Sequence, residues 1–364
     1  MADSMDYATV TYVTKQSMTS IGILFPVLAL LALTTRFYAW RHQPRKIAID
    51  DILILPAAVL NITAGVAIII GAQLNIIGGH SLPGVTQTEQ IQLGKFEYAF
   101  WIGHVLAIGF IKLTILCFFR LLFRGRSTWT PFDYANWTLI GLVLAWTLVF
   151  FFFEILACGS HPAASWASVE SLRQNCVDTF GLQTGGAAFN WLLDLAILIE
   201  PLLMIRTLNM KLRRKVQASL VFLGSGFAVA AGILRLIPWV QIKVQDVKHP
   251  TIKILATNLA TADEEAIVSI VLFWTYIEIG TGFLVACLPR SAWVFDKIRI
   301  GSFFQRLRSI SSVGSFSRLD PTPSRQKQGD KRPFQGEEPD KSMDMPDQYY
   351  DAGSPEAVSL KERV

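Results

Sequence analysis

The sequence predicts an all-α integral membrane protein built around a bundle of seven transmembrane helices. The first observation is composition: 52% of the residues are hydrophobic, 17% are charged and the mean hydropathy is +0.40, which is too apolar for an ordinary soluble domain. The second is a series of seven apolar runs, each close to the roughly 20 residues that a helix needs to cross the hydrocarbon core. The third is the concentration of lysine and arginine in alternate loops.

The apolar runs are separated by polar segments, and each boundary is defined only to within several residues. The runs are Ile21–Ala39, Ile52–Leu74, Phe96–Phe123, Tyr134–Ala157, Gly186–Leu208, Val216–Val240 and Ala266–Leu288. Residues 1–20 are polar and carry Asp3 and Asp6 where a cleavable signal peptide has basic residues. We therefore expect a short extracytosolic N-terminus and a first helix that itself directs insertion.

Basic residues predict the orientation of the bundle. They are concentrated after the first, third and fifth runs, and the positive-inside rule places those loops in the cytosol. These residues are Arg36, Arg41, Arg45, Lys46, Arg124, Arg126, Lys211, Arg213, Arg214 and Lys215. The loop after the sixth run is a mild exception, with three lysines. Because the basic residues flank apolar runs and do not form one basic face, we expect the lipid bilayer, and not a nucleic acid, as partner.

The chain becomes polar after the last run. Residues 290–310 alternate apolar and basic side chains, as in an amphipathic juxtamembrane segment or, alternatively, a basic flank of the last helix. Residues 311–364 have the low hydrophobicity of a disordered cytosolic tail. The bundle is thus expected within residues 21–289, and the basic loops and tail are where a cytosolic signalling protein would bind.

The cysteines predict one disulfide at most. Four cysteines are too few for a disulfide-built scaffold, and their spacing matches no zinc or redox motif, so no metal site is expected. Cys158 and Cys176 share the outer loop between the fourth and fifth runs, where an oxidising compartment would permit a bond; two free thiols are the alternative. Cys117 and Cys287 lie inside runs and are expected to pack as small apolar residues.

Ionisable side chains within the runs are candidate functional residues, because an uncompensated charge in hydrocarbon is costly. Judged by a rise of about 1.5 Å per residue, Asp194 and Arg235 lie at similar heights on consecutive runs, which predicts a salt bridge or a shared hydrated pocket. Asn190 is one helical turn from Asp194 on the same face. Glu278 and Lys112 lie near the midplane and are expected to neutralise each other.

Other candidates lie around this group. Trp191 and Trp274 are close in sequence to the acids and are candidates to line a cavity, although most tryptophans of such proteins anchor the interface. Asp51 and Arg120 are expected to form a salt bridge at the cytosolic face, although the helix dipole alone favours a carboxylate at Asp51. Glu154 and Glu200 are nearer run ends, where they reach water more easily. For every pair, the alternative is a structural role without a ligand.

Several motifs follow one another along the bundle. They are Asp50-Asp51, Gly78-Gly79-His80, Lys112-x-x-Ile115 with Arg120, Cys158 with Cys176, Asn190-x-x-x-Asp194 with Pro201, Gly224 with Arg235-Leu236, and Trp274-x-x-x-Glu278 running to Cys287-Leu288-Pro289. Together they resemble the fungal integral membrane proteins that carry a rhodopsin-type domain. That family includes candidate G-protein-coupled receptors of plant-pathogenic fungi and members encoded in biosynthetic gene clusters.

The chain departs from the family's receptors and from rhodopsins in three ways. The first twenty residues lack the cysteines of the extracellular domain that some receptor-like members carry. The last run, Ala266–Leu288, has no lysine for a Schiff base, so no retinal cofactor is expected. The Asp-Arg-Tyr and Asn-Pro-x-x-Tyr patterns of animal receptors are also missing. Coupling to a G protein is therefore suggested only by analogy with the fold of those receptors, and by no sequence motif.

The resemblance and the buried polar residues leave two leading functions. The first is a receptor-like sensor of a small lipophilic molecule in the plasma membrane or an endomembrane. The second is a membrane-embedded cyclase or isomerase of a secondary metabolite, with Asp194 or Glu278 as proton donor. The expected cationic partner of each acid argues against the enzyme, because a paired carboxylate is a poor acid. A transporter ranks third, since no internal repeat is evident.

Overall fold

The computed structural model describes residues 12–42, 47–79, 87–123, 131–167, 169–207, 212–244, 251–254, 257–260 and 264–297. Their elements are α1 (Lys15–His42), α2 (Ile49–Gln73), α3 (Gln87–Phe123), α4 (Pro131–Leu156), α5 (Ala164–Ala167), α6 (Val169–Asn175), α7 (Thr179–Thr207), α8 (Leu212–Val244), β1 (Thr251–Ile254), β2 (Thr257–Ala260) and α9 (Glu264–Lys297). Seven of these helices are long and apolar enough to cross a membrane, namely α1 to α4 and α7 to α9. The predicted multi-pass helical membrane protein is confirmed.

The long helices extend beyond the apolar runs that predicted them. α3 begins at Gln87, more than two turns before Phe96, and α9 continues to Lys297 beyond Pro289. Helix ends depend on backbone hydrogen bonds, which continue into the headgroup region after the hydrophobic run has ended. The start of the predicted juxtamembrane segment is therefore part of α9, whereas residues 298–310 and the tail from 311 lie outside the described residues.

A small hairpin connects α8 to α9, where the sequence predicted only a loop. β1 and β2 pair antiparallel, with Thr251 opposite Ala260 and Ile254 opposite Thr257. Threonine and isoleucine favour extended backbone because their branched Cβ restricts the side chain in a helix. The hairpin adds a minor β element to the all-α bundle.

α3 and α9 form the centre of the bundle. In each of them 72% of the most apolar stretch is buried, compared with 22–33% in the other five spans. α9 packs against α1, α2, α3 and α8, and α3 packs against α2, α4 and α9. Large apolar side chains such as Leu31, Val59 and Phe227 are exposed on the outer helices, as expected of a lipid-facing surface. A charge on α3 or α9 is thus kept from lipid by its neighbours.

The two ends of the bundle are distinguished by their polar residues. At one end, Lys15 of α1 donates to the side chain of Asn75 just after α2, and the Cys158–Cys176 disulfide lies between α4 and α7. At the other end, Arg36 of α1 meets Asp50 at the start of α2. We call these ends the disulfide side and the arginine side.

Candidate functional site

A group of charged side chains lies in the middle of the bundle, where α3, α7, α8 and α9 meet. Lys112 Nζ on α3 is 2.9 Å from Asp194 Oδ1 on α7 and donates to the Asn190 carbonyl at 2.7 Å. Arg235 on α8 pairs with Glu278 on α9 through its Nε, and its second guanidinium nitrogen is 3.4 Å from Glu278 Oε1. These five residues are called the central cluster.

Asn190 joins the two ion pairs into one network. Its Nδ2 donates to Glu278 Oε1 at 2.7 Å and lies 3.5 Å from Asp194 Oδ2. Lys112 and Glu278 have side chains that are only 3% and 2% exposed. Two cations thus compensate two anions, which is what makes four buried charges tolerable in a membrane protein.

The pairing differs from the one that the sequence predicted. Salt bridges were expected between Asp194 and Arg235 and between Lys112 and Glu278, whereas the structure pairs Lys112 with Asp194 and Arg235 with Glu278. Helical rise predicts the height of a residue, but the partner also depends on the direction in which each helix face points. Here α8 packs against α9 and directs Arg235 toward Glu278. A ligand-binding role for the five side chains of the central cluster stays a prediction.

The two tryptophans predicted beside the acids do not donate hydrogen bonds to them. Trp274 lies one turn from Glu278 toward the disulfide side, and its Nε1 donates to the Tyr12 hydroxyl at 2.9 Å. Trp191 is half-buried against α8, where a Cβ on Gly232 would lie 3.3 Å from Trp191 Cδ1. Its Nε1 has no hydrogen-bond partner within the described part of the chain. A ligand-binding role for Trp191 and Trp274 stays a prediction.

The cavity beside the central cluster is very small. It has a volume of about 20 Å³ and is lined by Lys112, Asp194, Glu278, Ser225 and apolar side chains. That volume holds about one water molecule. Within the described residues, the space beside Asp194 and Glu278 is therefore that of about one water molecule.

The central cluster does not fit retinal, the cofactor that the rhodopsin name suggests. The last span has no lysine between Ala266 and Leu288. The lysine that is buried in the described bundle is Lys112, whose Nζ is held by Asp194 and by the Asn190 carbonyl. Among the described residues, the amine at this point is thus already paired, and the adjoining cavity of about 20 Å³ is too small for a polyene chain.

A larger cavity lies nearer the disulfide side, and we call it the disulfide-side pocket. Its volume is about 120 Å³, and its walls come from α3, α4, α7, α8 and the loop that contains the disulfide. Its lining includes Glu97, Tyr98, Trp101, Glu154, Cys158, Phe180, Gln183 and Trp239. Cys158 is bonded to Cys176, so the predicted disulfide is present and forms part of the wall.

His104 lies between the disulfide-side pocket and the central cluster. The Trp101 ring centroid is 5.5 Å from that of Trp239 and 5.4 Å from that of His104. His104 is 3% exposed, and both ring nitrogens are without a hydrogen-bond partner among the described residues. His104 was not among the residues predicted from the sequence, although it precedes Lys112 by eight residues and so lies on a similar face of α3.

A second charge network closes the arginine side. Arg36 is 2.7 Å from Asp50 Oδ2 and donates its Nε to Asp51 Oδ1 at 3.0 Å. Arg290 of α9 donates to both oxygens of Asp50, at 2.5 and 2.8 Å. These four residues are called the arginine cluster, and they tie α1, α2 and α9 together. From the sequence, Arg36 and Arg290 were counted among the basic residues that flank the apolar runs. In the structure they are buried, with only 3% and 4% of their surface exposed.

The predicted salt bridge between Asp51 and Arg120 is wrong. Asp51 is bonded to Arg36, and the Arg120 guanidinium lies over the Trp137 ring, 4.1 Å from its centroid. Two arginines approach Asp51 from α1 and α9, whereas the neighbour of Arg120 is α4. A cation over an indole face is a favourable alternative to an ion pair.

Glu200 is more buried than its place near the end of a run suggested. Its side chain lies within the bundle, and its Oε1 accepts a hydrogen bond from Asn136 Nδ2 at 2.8 Å. Asn136 also donates to the Leu116 carbonyl at 3.3 Å. This polar contact links α4, α7 and α3.

The chain is similar to a family of fungal membrane proteins and to individual proteins from three fungi. The sequence profile of the fungal rhodopsin domain matches residues 35–297. The polyenoic acids biosynthesis gene cluster protein Ba17b of Metarhizium anisopliae is 26% identical over 324 residues, which cover 84% of this chain and 81% of that protein. The wortmanamides biosynthesis cluster protein C of Talaromyces wortmannii is 26% identical over 304 residues, or 82% and 74% of the two chains. A SAT4 family membrane protein of Emericella nidulans is 29% identical over 229 residues, or 63% and 51%.

Proposed function

This chain belongs to the fungal rhodopsin-domain family, and from that premise we propose that it is a receptor-like sensor of a small lipophilic molecule that works without retinal. The observation that carries the proposal is that one stretch of α3 reaches from the disulfide-side pocket to the central cluster. Trp101 lines the pocket, its ring centroid is 5.4 Å from that of His104, and Lys112 follows His104 by about two turns of the same helix. A ligand that moves Trp101 would thereby change the surroundings of both ion pairs.

α9 would carry such a change to the other end of the bundle. Glu278 belongs to the central cluster, and Arg290, about three turns further along the same helix, belongs to the arginine cluster. We infer that the disulfide side faces away from the cytosol, as the basic loops predict. A shift or rotation of α9 would then alter the cytosolic surface, where a signalling protein would bind. Such coupling requires two conformations that the ligand stabilises differently.

A membrane-embedded enzyme is the second candidate, and the names of two relatives favour it, because both are proteins of biosynthesis clusters. The geometry of the central cluster supports the sensor better. Asp194 and Glu278 are each bonded to a cation and lie beside a cavity for about one water. Both features oppose acid catalysis on a lipophilic substrate.

Gene deletion in the native host would separate the two functions. Lipophilic metabolites are compared by mass spectrometry in the wild type, the deletion strain and strains complemented with wild type, Asp194→Asn or His104→Gln. A sensor predicts that the profile shifts broadly or not at all, without a precursor that accumulates. Accumulation of one precursor that only the wild-type gene removes would overturn the proposal in favour of the enzyme. The amount of each tagged variant in the membrane is measured, so that lost folding is not mistaken for lost function.

A further inference from the structure

We propose that the disulfide-side pocket binds a small organic amine with an apolar body, whose ammonium group is held by Glu154 and whose oxygen accepts a hydrogen bond from Trp239. The inference rests on the proposed sensor function for its biological purpose, since it names the chemical class of the ligand. Its chemical basis is the charge, the lining and the size of the pocket.

The pocket has acidic side chains and no basic ones. Among the described residues that line it, the carboxylic acids are Glu97 and Glu154, and none is lysine, arginine or histidine. Glu154 accepts a hydrogen bond from the Gln183 amide. In the part of the chain that the structure describes, no basic side chain is paired with Glu154. A neutral amide compensates a carboxylate only in part, whereas the acids of the central cluster each have a cation. The polar group that best complements this pocket is therefore a cation.

The aromatic lining fits the same type of ligand. Tyr98, Trp101, Phe180 and Trp239 surround the cavity. Aromatic rings cover the apolar part of a ligand, and their faces also attract an ammonium group. An anion would be repelled by the Glu154 carboxylate. The pocket thus selects for positive charge through two independent features.

An unpartnered donor indicates where a ligand oxygen would lie. Trp239 is 8% exposed, and its Nε1 has no hydrogen-bond partner among the residues that the structure describes. Buried polar groups are nearly always hydrogen-bonded, so such a donor in a cavity wall is a candidate contact for a ligand or an ordered water. A hydroxyl or carbonyl oxygen on the amine would satisfy it.

The size of the pocket limits the ligand to about that of benzene. The volume of about 120 Å³ is well below that of pockets for drug-sized molecules. An engineered protein cavity of about 150 Å³ holds benzene. Suitable probes are therefore 1-amino-2-butanol, which has both polar groups, butylamine, which lacks the hydroxyl, and 3-pentanol, in which a methyl group replaces the amine.

Binding of these probes to the purified full chain in lipid nanodiscs, measured by calorimetry, tests the inference. We expect the amino alcohol to bind at least tenfold more tightly than 3-pentanol. Glu154→Gln should remove this preference and leave binding of the alcohol unchanged. Trp239→Phe should remove the preference for the amino alcohol over butylamine. Equal affinity of amine and alcohol for the wild type, no saturable binding of any probe, or an unchanged preference in Glu154→Gln would each overturn the proposal.

Asp178→Asn is a matched control, because it removes an acid next to the pocket wall but outside the pocket. Asp178 is exposed, and a hydrogen bond from Lys243 lowers the pKa of its carboxyl below the usual range. Its loss should change probe affinity by less than twofold, whereas a general electrostatic attraction would weaken in both variants. Glu154→Asp, which keeps the charge, should retain the amine preference if Glu154→Gln fails to fold.

The two proposals fail in distinguishable ways. Amine binding that depends on Glu154, combined with precursor accumulation in the deletion strain, would preserve the ligand class and exclude the sensor. A sensor response without amine binding would exclude the ligand class alone.

Discussion

Lys112 on α3 and Asp194 on α7 form an ion pair in the middle of the membrane bundle, with 2.9 Å between Nζ and Oδ1. Lys112 also donates to the Asn190 carbonyl, one turn before Asp194 on the same helix. The pair therefore attaches α7 to one of the two most buried helices. Because both charges are removed from water and lipid, each depends on the other for compensation.

Removal of one member of this pair should be strongly destabilising. Asp194→Asn leaves Lys112 buried without its carboxylate, which costs about 3–5 kcal/mol in comparable buried pairs. The double variant Lys112→Met with Asp194→Asn removes both charges and should recover most of that loss. Thermal unfolding of the purified variants in detergent measures both effects.

A second double variant serves as the control for the first. It removes the two charges that the sequence alone predicted to pair. Lys112→Met with Glu278→Gln also keeps the number of positive and negative charges equal, but it leaves Asp194 and Arg235 without their observed partners. It should recover clearly less stability than the first double variant. Equal recovery by the two combinations would mean that only the net charge of the cluster matters.

Replacement of Asp50 should destabilise the protein much more than replacement of Asp51, although the two residues are adjacent in sequence. Asp50 is 1% exposed and accepts hydrogen bonds from Arg36 and Arg290. Asp50→Asn leaves two buried arginines poorly compensated and should lower stability by about 3–5 kcal/mol. Asp51 is 14% exposed and lies further from Arg290, at 3.8 Å, so Asp51→Asn should cost about 1 kcal/mol, the value typical of more exposed pairs. Equal losses in unfolding experiments would contradict the central role of Asp50.

Two glycines of α8 provide a test of close helix packing. A Cβ on Gly224 would lie 2.6 Å from Val285 on α9, whereas a Cβ on Gly226 would meet nothing within 4 Å. Val285 is β-branched and has little rotamer freedom in a helix, so Gly224→Ala should cost about 1–3 kcal/mol through overpacking.

Gly226→Ala is the control for the helix propensity of alanine and should be neutral or stabilising by up to about 1 kcal/mol. Gly224→Ala combined with Val285→Ala should regain part of the loss, because the clash is removed. The unfolding temperature of each variant would be compared with that of the wild type. A stabilising Gly224→Ala would show that α8 and α9 are further apart than described.

The orientation of the bundle can be tested by labelling single added cysteines in intact cells. Gln73 ends α2 on the disulfide side, and His42 ends α1 on the arginine side; both side chains are exposed. With the disulfide side outside, a membrane-impermeant maleimide should label Gln73→Cys in intact cells and His42→Cys only after permeabilisation. The parent protein, whose free Cys117 and Cys287 lie inside spans, provides the background. The reverse pattern would reject the predicted orientation.

Most residues of the candidate site could be predicted from the sequence, but the partner of each charged residue could not. Lys112, Asp194, Arg235 and Glu278 were identified because charges are rare within apolar runs. Their partners were not, and Asp51 was assigned to Arg120 when it bonds Arg36. His104 was missed because a single histidine in an apolar run gives no signal that its nitrogens lack partners.

The sequence by itself determined that the chain enters a membrane, that it crosses it with seven helices, and which loop could contain a disulfide. Hydropathy, run length and cysteine position are local properties, so they can be read from the order of residues alone. The tertiary structure decided which charges pair, that Arg36 and Arg290 are buried, and that a pocket forms between α3, α4, α7 and α8. These features depend on the rotation of each helix about its axis, which is set by packing between residues distant in sequence.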